Sequence, residues 1–90
     1  MLSITNPATG QVIRQVETDD AASVTHKAAR ARAAQPAWAA TPLSERKVAI
    51  QRFADHLVTH QRALAETLSR EVGKPIKQAL GEISAVGGRI

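Results

Sequence analysis

The chain has 90 residues, with twelve Lys and Arg against eight Asp and Glu for a formal charge of +4, 43% apolar residues and no cysteine. This length admits one small domain with a thin margin of stability, and the missing cysteines exclude a disulfide framework, a thiolate metal site and a cysteine nucleophile. No basic stretch followed by an apolar run opens the sequence and no run of about 18 apolar residues occurs, so neither a secretory leader nor a membrane span is expected, and the cytoplasm is the expected compartment.

Much of the apolar content is alanine, and Trp38 and Phe53 are the only aromatic residues. Small side chains bury little area each, so such a core suits one layer of a larger protein better than a free-standing domain.

In chain order, residues 3–5 and 11–16 are short and β-branched, and Asn6-Pro7-Ala8-Thr9-Gly10 between them offers turn-forming residues at nearly every position. A β-hairpin is expected over 1–18, with Pro7 presetting φ and Gly10 free to take φ > 0. Two strands alone are marginal in water, so this ribbon needs a surface to pack on.

The rest of the chain, 19–90, reads as helical. Asp19 or Asp20 caps a first helix running to about Ala34, with Ala21, Val24, Ala28, Ala31 and Gln35 on one stripe. Pro36 is expected to end it, leaving Trp38 in a connector where it plugs a gap between helices. Thr41 at N-cap and Pro42 at the first helical position start a second helix, with Glu45 in its first turn. Ile50, Phe53, Ala54 and Leu57 define its apolar face through about His60. After a break near Thr59 and His60, Leu64, Leu68 and Val72 continue at helical spacing until Gly73, a left-handed cap candidate followed by Pro75. Pro75 opens a last helix, in which Ile76, Ala79, Leu80 and Ile83 share a face until Gly87-Gly88. The expected class is α+β, predominantly helical, with an N-terminal hairpin followed by about four helices. No repeat or low-complexity linker divides residues 1–90.

Few residues suggest chemistry. His56 and His60 lie four apart and could grip a metal from one helix face, but no intervening Glu or cysteine supplies further ligands, so two exposed histidines at a helix end is the simpler reading. No phosphate-binding glycine loop and no nucleophile elbow occurs. Lys74, between Gly73 and Pro75, reads as a helix C-terminal lysine complementing the dipole. Glu71 stands out, because a carboxylate in the last turn of a helix meets the negative end of the dipole. Either Lys74 and Arg70 offset that charge or a bound cation does.

The order Asn6-Pro7-Ala8-Thr9-Gly10-Gln11-Val12-Ile13, an Ala-rich helix ending near Trp38, Ser44-Glu45-Arg46, Leu64-Ala65, Glu71-Val72-Gly73-Lys74-Pro75 and Glu82 resembles the N-terminal segment of NAD(P)-dependent aldehyde dehydrogenases. The pattern covers nearly the whole chain and is similar to the succinate-semialdehyde branch. The resemblance implies an enzyme that oxidises an aldehyde to a carboxylate through a thiohemiacetal and a thioester, passing hydride to NAD or NADP. It implies that the nucleophilic cysteine, general base, oxyanion-hole asparagine and cofactor-binding residues lie in later sequence, so that no catalytic or cofactor-binding residue is expected here and the isolated chain is expected to be inactive. What this segment supplies, on the resemblance, is the opening part of the cofactor-binding domain. Its partner is then the remainder of the dehydrogenase chain, within a homo-oligomer.

The resemblance also implies one site: a monovalent cation, Na⁺ or K⁺, held by the backbone carbonyls of Ile4 and Thr5 and the carboxylate of Glu71. A second function class is a stand-alone basic helical module binding nucleic acid or an acidic protein, whose mark would be duplex affinity falling steeply with salt. The dispersion of the basic residues and the absence of interleaved aromatics argue against nucleic acid. The unpartnered apolar stripes lead the isolated chain to be expected to self-associate.

Overall fold

A computed structural model describes all residues, Met1–Ile90. Two strands, β1 (Leu2–Thr5) and β2 (Val12–Val16), precede four helices, α1 (Ala21–Ala40), α2 (Leu43–Thr59), α3 (Gln61–Val72) and α4 (Ile76–Gly87). The chain is therefore α+β and predominantly helical, as its sequence pattern leads one to expect.

The strands pair antiparallel, Leu2 with Val16, Ser3 with Gln15 and Ile4 with Arg14, before the register slips so that Thr5 faces Val12. The slip is a bulge at Ile13, which twists the ribbon and interrupts the ladder beside Ile4 and Thr5. The connecting turn is fastened by its own residues. Asn6 Oδ1 accepts from the Ala8 amide at 2.8 Å, the Asn6 carbonyl accepts from the Gly10 amide at 2.8 Å, and Gly10 turns the chain at φ 74°.

Asp20, not Asp19, is the N-cap of α1. Its carboxylate accepts from the Ser23 amide at 2.8 Å while Ser23 Oγ accepts from the Asp20 amide at 2.9 Å, a reciprocal capping box. Asp19 instead takes the Lys27 ammonium at 2.7 Å and the Ser23 hydroxyl at 2.8 Å.

Pro36 does not end α1, which continues through it to Ala40 and carries Trp38 inside the helix rather than in a connector. Proline removes one backbone hydrogen bond and crowds the preceding turn. Here the next four residues, Ala37, Trp38, Ala39 and Ala40, resume the spiral, and the turn is closed by Thr41, whose amide bonds Ala37 and Trp38 carbonyls at 3.1 Å and whose hydroxyl donates to the Ala37 carbonyl at 2.8 Å. That use of Thr41 explains a second departure: it finishes α1 instead of capping α2, which starts after Pro42 with no side-chain cap. The Thr41 carbonyl accepts from Arg46 Nε at 3.0 Å, tying the two helices at their joint.

Helices α2 and α3 break at His60, as expected from the pattern, and α3 ends at Gly73 with φ 75°. The core lies where α2, α3 and α4 meet. Its three buried residues are all alanines, Ala54, Ala65 and Ala79, the last two with no exposed surface. Side chains this small let helix axes approach closely. Gln61 Nε2 reinforces the junction by donating to the Leu80 carbonyl at 3.3 Å and to Ser84 Oγ. By contrast α1 buries no residue, and its Val24 is 55% exposed, so the expected α1 stripe has no facing surface. No helix is long and apolar enough to cross a membrane.

Both Asp19 and Asp20 are held below the usual carboxylate range, Asp19 chiefly by the Lys27 ammonium and then the Ser23 hydroxyl, Asp20 chiefly by the Ser23 amide and then its hydroxyl. A depressed folded-state pKa contributes stability that is complete above the ordinary value of about 3.9 and is lost as pH falls through the folded value. Asp20→Ala is therefore expected to lower α1 helicity at neutral pH, and the deficit relative to the parent to shrink below about pH 4, as followed by far-UV circular dichroism across a pH titration. Gly73→Ala is expected to cost about 1–2 kcal/mol for the left-handed backbone alone, and more in total, because the added Cβ would lie 3.0 Å from Pro7 Cγ. Gly10→Ala, at φ 74° with nothing within 4 Å of the added carbon, should show the backbone cost only, so urea denaturation of the two variants measures the Pro7 contact by difference.

Candidate functional site

The close approach of Pro7 to Gly73 joins the two ends of the chain. Gly73 needs φ 75° to close α3, and the space where its side chain would stand is taken by the Pro7 ring. One contact therefore sets the segment Ile4-Thr5-Asn6-Pro7 beside Glu71-Val72-Gly73, which are more than sixty residues apart in sequence. Ile4 is half-buried beside the hairpin bulge, Thr5 is the exposed last residue of β1, and Glu71 is exposed in the last turn of α3.

The charges around this corner show what surrounds Glu71. Three ion pairs occur, Lys27 with Asp19, Arg62 with Glu66 and Lys74 with Glu82. Lys74 is thus committed to Glu82 on α4, and its carbonyl accepts from Ser69 Oγ at 2.7 Å. Arg70 makes no ion pair, so the helix-end charge of Glu71 is left without a partner in the chain. Sequence reasoning missed both the Lys74–Glu82 bridge and the Pro7–Gly73 contact. A connector residue paired with a residue eight positions on in the following helix has no local signature, and the only trace of the glycine contact was the cap glycine itself.

The other candidates reduce to simple roles. The His56 and His60 rings lie 4.2 Å apart between centroids, tilted by 38°, and no group of three or more His, Cys, Asp or Glu converges on a metal position. His60 serves as the joint between helices, its amide bonding the His56 carbonyl at 3.0 Å. Of the basic residues, Lys27, Arg62 and Lys74 are spent on carboxylates. The chain contains no cysteine.

The sequence model of the aldehyde dehydrogenase family matches residues 1–89. An N-succinylglutamate 5-semialdehyde dehydrogenase of Serratia proteamaculans is 40% identical over 88 residues, 98% of this chain and 18% of the relative. A second, N-succinylglutamate 5-semialdehyde dehydrogenase 2 of Caulobacter vibrioides, is 39% identical over 99% of this chain and 18% of its own length. The dehydrogenase of the same name from Chromohalobacter salexigens is 35% identical over 96% of this chain and 18% of its length. No solved structure matches. The chain thus spans under a fifth of the relatives it matches, and with the family model matching residues 1–89 it belongs to the aldehyde dehydrogenase family as an N-terminal segment.

Proposed function

We infer that the chain is the opening part of a cytoplasmic, oligomeric NAD(P)-dependent aldehyde dehydrogenase that oxidises a semialdehyde to a carboxylate, and that by itself it is inactive. The observation that carries this reading is the match along residues 1–89 together with relatives at about 40% identity that are semialdehyde dehydrogenases. Within that enzyme the segment's work is structural: residues 1–18 form the ribbon, residues 19–90 the helical layer, and both offer apolar surface to the remainder of the chain. The nicotinamide cofactor supplies the hydride acceptor when bound, and no residue here is assigned to hold it.

The reading includes one site. Ile4 and Thr5 would present backbone carbonyls, and Glu71 a carboxylate, to Na⁺ or K⁺, hard cations that take oxygen ligands. Its support is twofold: the Pro7–Gly73 contact places the two segments together, and Glu71 has no ion-pair partner at the negative end of α3. The alternative of a nucleic-acid module draws no support from the fold, since the basic residues neither cluster nor alternate with aromatics.

Replacing the corresponding segment of the Serratia proteamaculans relative by this chain should give a chimera that still reduces NAD⁺ or NADP⁺ with an aldehyde, while the ninety-residue chain alone gives no change in nicotinamide absorbance. A folded, cofactor-binding but inactive chimera would count against the reading. In that chimera, Na⁺ or K⁺ should raise the melting temperature above that in choline chloride of equal ionic strength, with a stabilisation of about 1.4 kcal/mol at ten times the dissociation constant. Glu71→Gln should abolish the difference, and a melting response indifferent to the cation in the parent chimera would remove the site.

A further inference from the structure

A lysine just past the end of a helix is ordinarily drawn back to it, because the last carbonyls and the negative end of the dipole attract its ammonium. Lys74 stands in that place after α3, and the Glu71 carboxylate three residues before it adds to the attraction. Arg70 is no substitute, since adjacent residues on a helix do not face each other, and it makes no ion pair. Yet the Lys74 ammonium pairs with Glu82, eight residues on and midway along α4.

The backbone leaves only the side chain free to choose between these carboxylates. The Gly73 amide donates to the Ser69 carbonyl at 2.9 Å, the Ser69 hydroxyl donates to the Lys74 carbonyl at 2.7 Å, and Pro75 fixes the next φ. On the other side of the pair, α4 is seated in the helix junction by Ala79, which has no exposed surface, and is bonded by Gln61 of α3, so Glu82 is presented from a packed helix. The Lys74 bridge also differs from the other two. Lys27 and Arg62 are 64% and 69% exposed in their pairs, whereas Lys74 is 28% exposed, so solvent screens this pair least.

We propose that Glu82 is a positioning residue for the cation site: by holding Lys74 on α4 it keeps an ammonium from neutralising Glu71, and so leaves that carboxylate to Na⁺ or K⁺. The inference rests on the reading of Ile4, Thr5 and Glu71 as that site, and it adds a residue that binds no ion itself. Without Glu82, Lys74 returns to the end of α3, where its charge competes with the ion. Like charges about 4 Å apart repel enough, even in water, to weaken binding about fivefold, and more where solvent is partly excluded. Removing Lys74 has no such effect, because no ammonium is then left to compete.

The test is the melting temperature of the chimera with the Serratia proteamaculans relative, titrated with NaCl or KCl against choline chloride at constant ionic strength, which yields an apparent dissociation constant for the ion. Glu82→Gln should raise that constant about fivefold or more. Lys74→Met should leave it unchanged or lower it, and the two substitutions together should restore the parent value. A bridge that only fastens α4 to the connector would make the two single variants alike and the double variant no better than either. That result, or a Glu82→Gln constant equal to the parent's, overturns the inference and leaves the cation site standing. A parent melting temperature indifferent to both ions removes the site and the inference with it. Should Glu82→Gln fail to fold, Lys74→Met decides: a retained ion response supports the proposal and a lost one overturns it.

Discussion

The close contact of α2, α3 and α4 at Ala54, Ala65 and Ala79 is the constraint on which the rest of the architecture depends. Larger residues at these positions would hold the axes apart, and α4 would then lose its course along α2. That course places Gln61 of α3 against the Leu80 carbonyl of α4, and Lys74 of the connector against Glu82 of α4. It also fixes the α3–α4 corner where Gly73 receives Pro7. The hairpin is therefore attached to the helices through a backbone position rather than through a side-chain core. An alanine-built junction gives geometry cheaply but little buried area, and stability in such a protein has to come from surfaces outside the junction.

The same economy explains how charge is arranged. The carboxylates near α1 are placed at its positive end, where capping by Ser23 and pairing with Lys27 hold them ionised. Glu71 sits at the opposite kind of helix end, against the dipole, while the neighbouring lysine is drawn away to α4. A helical protein of this size has ample basic side chains to neutralise such a group, and this one does not use them. The corner consequently carries an unmatched negative charge beside an interrupted strand ladder.

Local chemistry made much of the fold legible. The Asn6–Gly10 run encoded the hairpin turn because each residue bonds or bends within it, and Gly73 followed by Pro75 encoded the end of α3 through a single backbone requirement. The break near Thr59 and His60 was expected although the apolar spacing runs on across it, Leu64 standing seven residues after Leu57. Proline at position 36 was misleading, since its penalty is local while the helix on its far side is rescued by Ala37–Ala40 and by Thr41. Once Thr41 is engaged there, it is unavailable as a cap for α2, so one misread residue shifted two boundaries. The candidate site was legible only in part. Glu71 drew attention by its position on the dipole, but its lack of a partner followed from where α4 carries Glu82, which no local pattern reports.

The isolation of α1 has a dynamic consequence. A helix that buries nothing opens with a free energy set by its own hydrogen bonds and caps, independent of the α2–α4 junction. The chain is then two cooperative units of unequal depth. Amides around Ala65 and Ala79 exchange with solvent only when the junction itself comes apart, whereas those of α1 exchange through fraying from both ends and from the gap in its ladder at Pro36. A protease given the folded chain would accordingly cut first within α1, separating the ribbon from the helical layer before the layer loses its order.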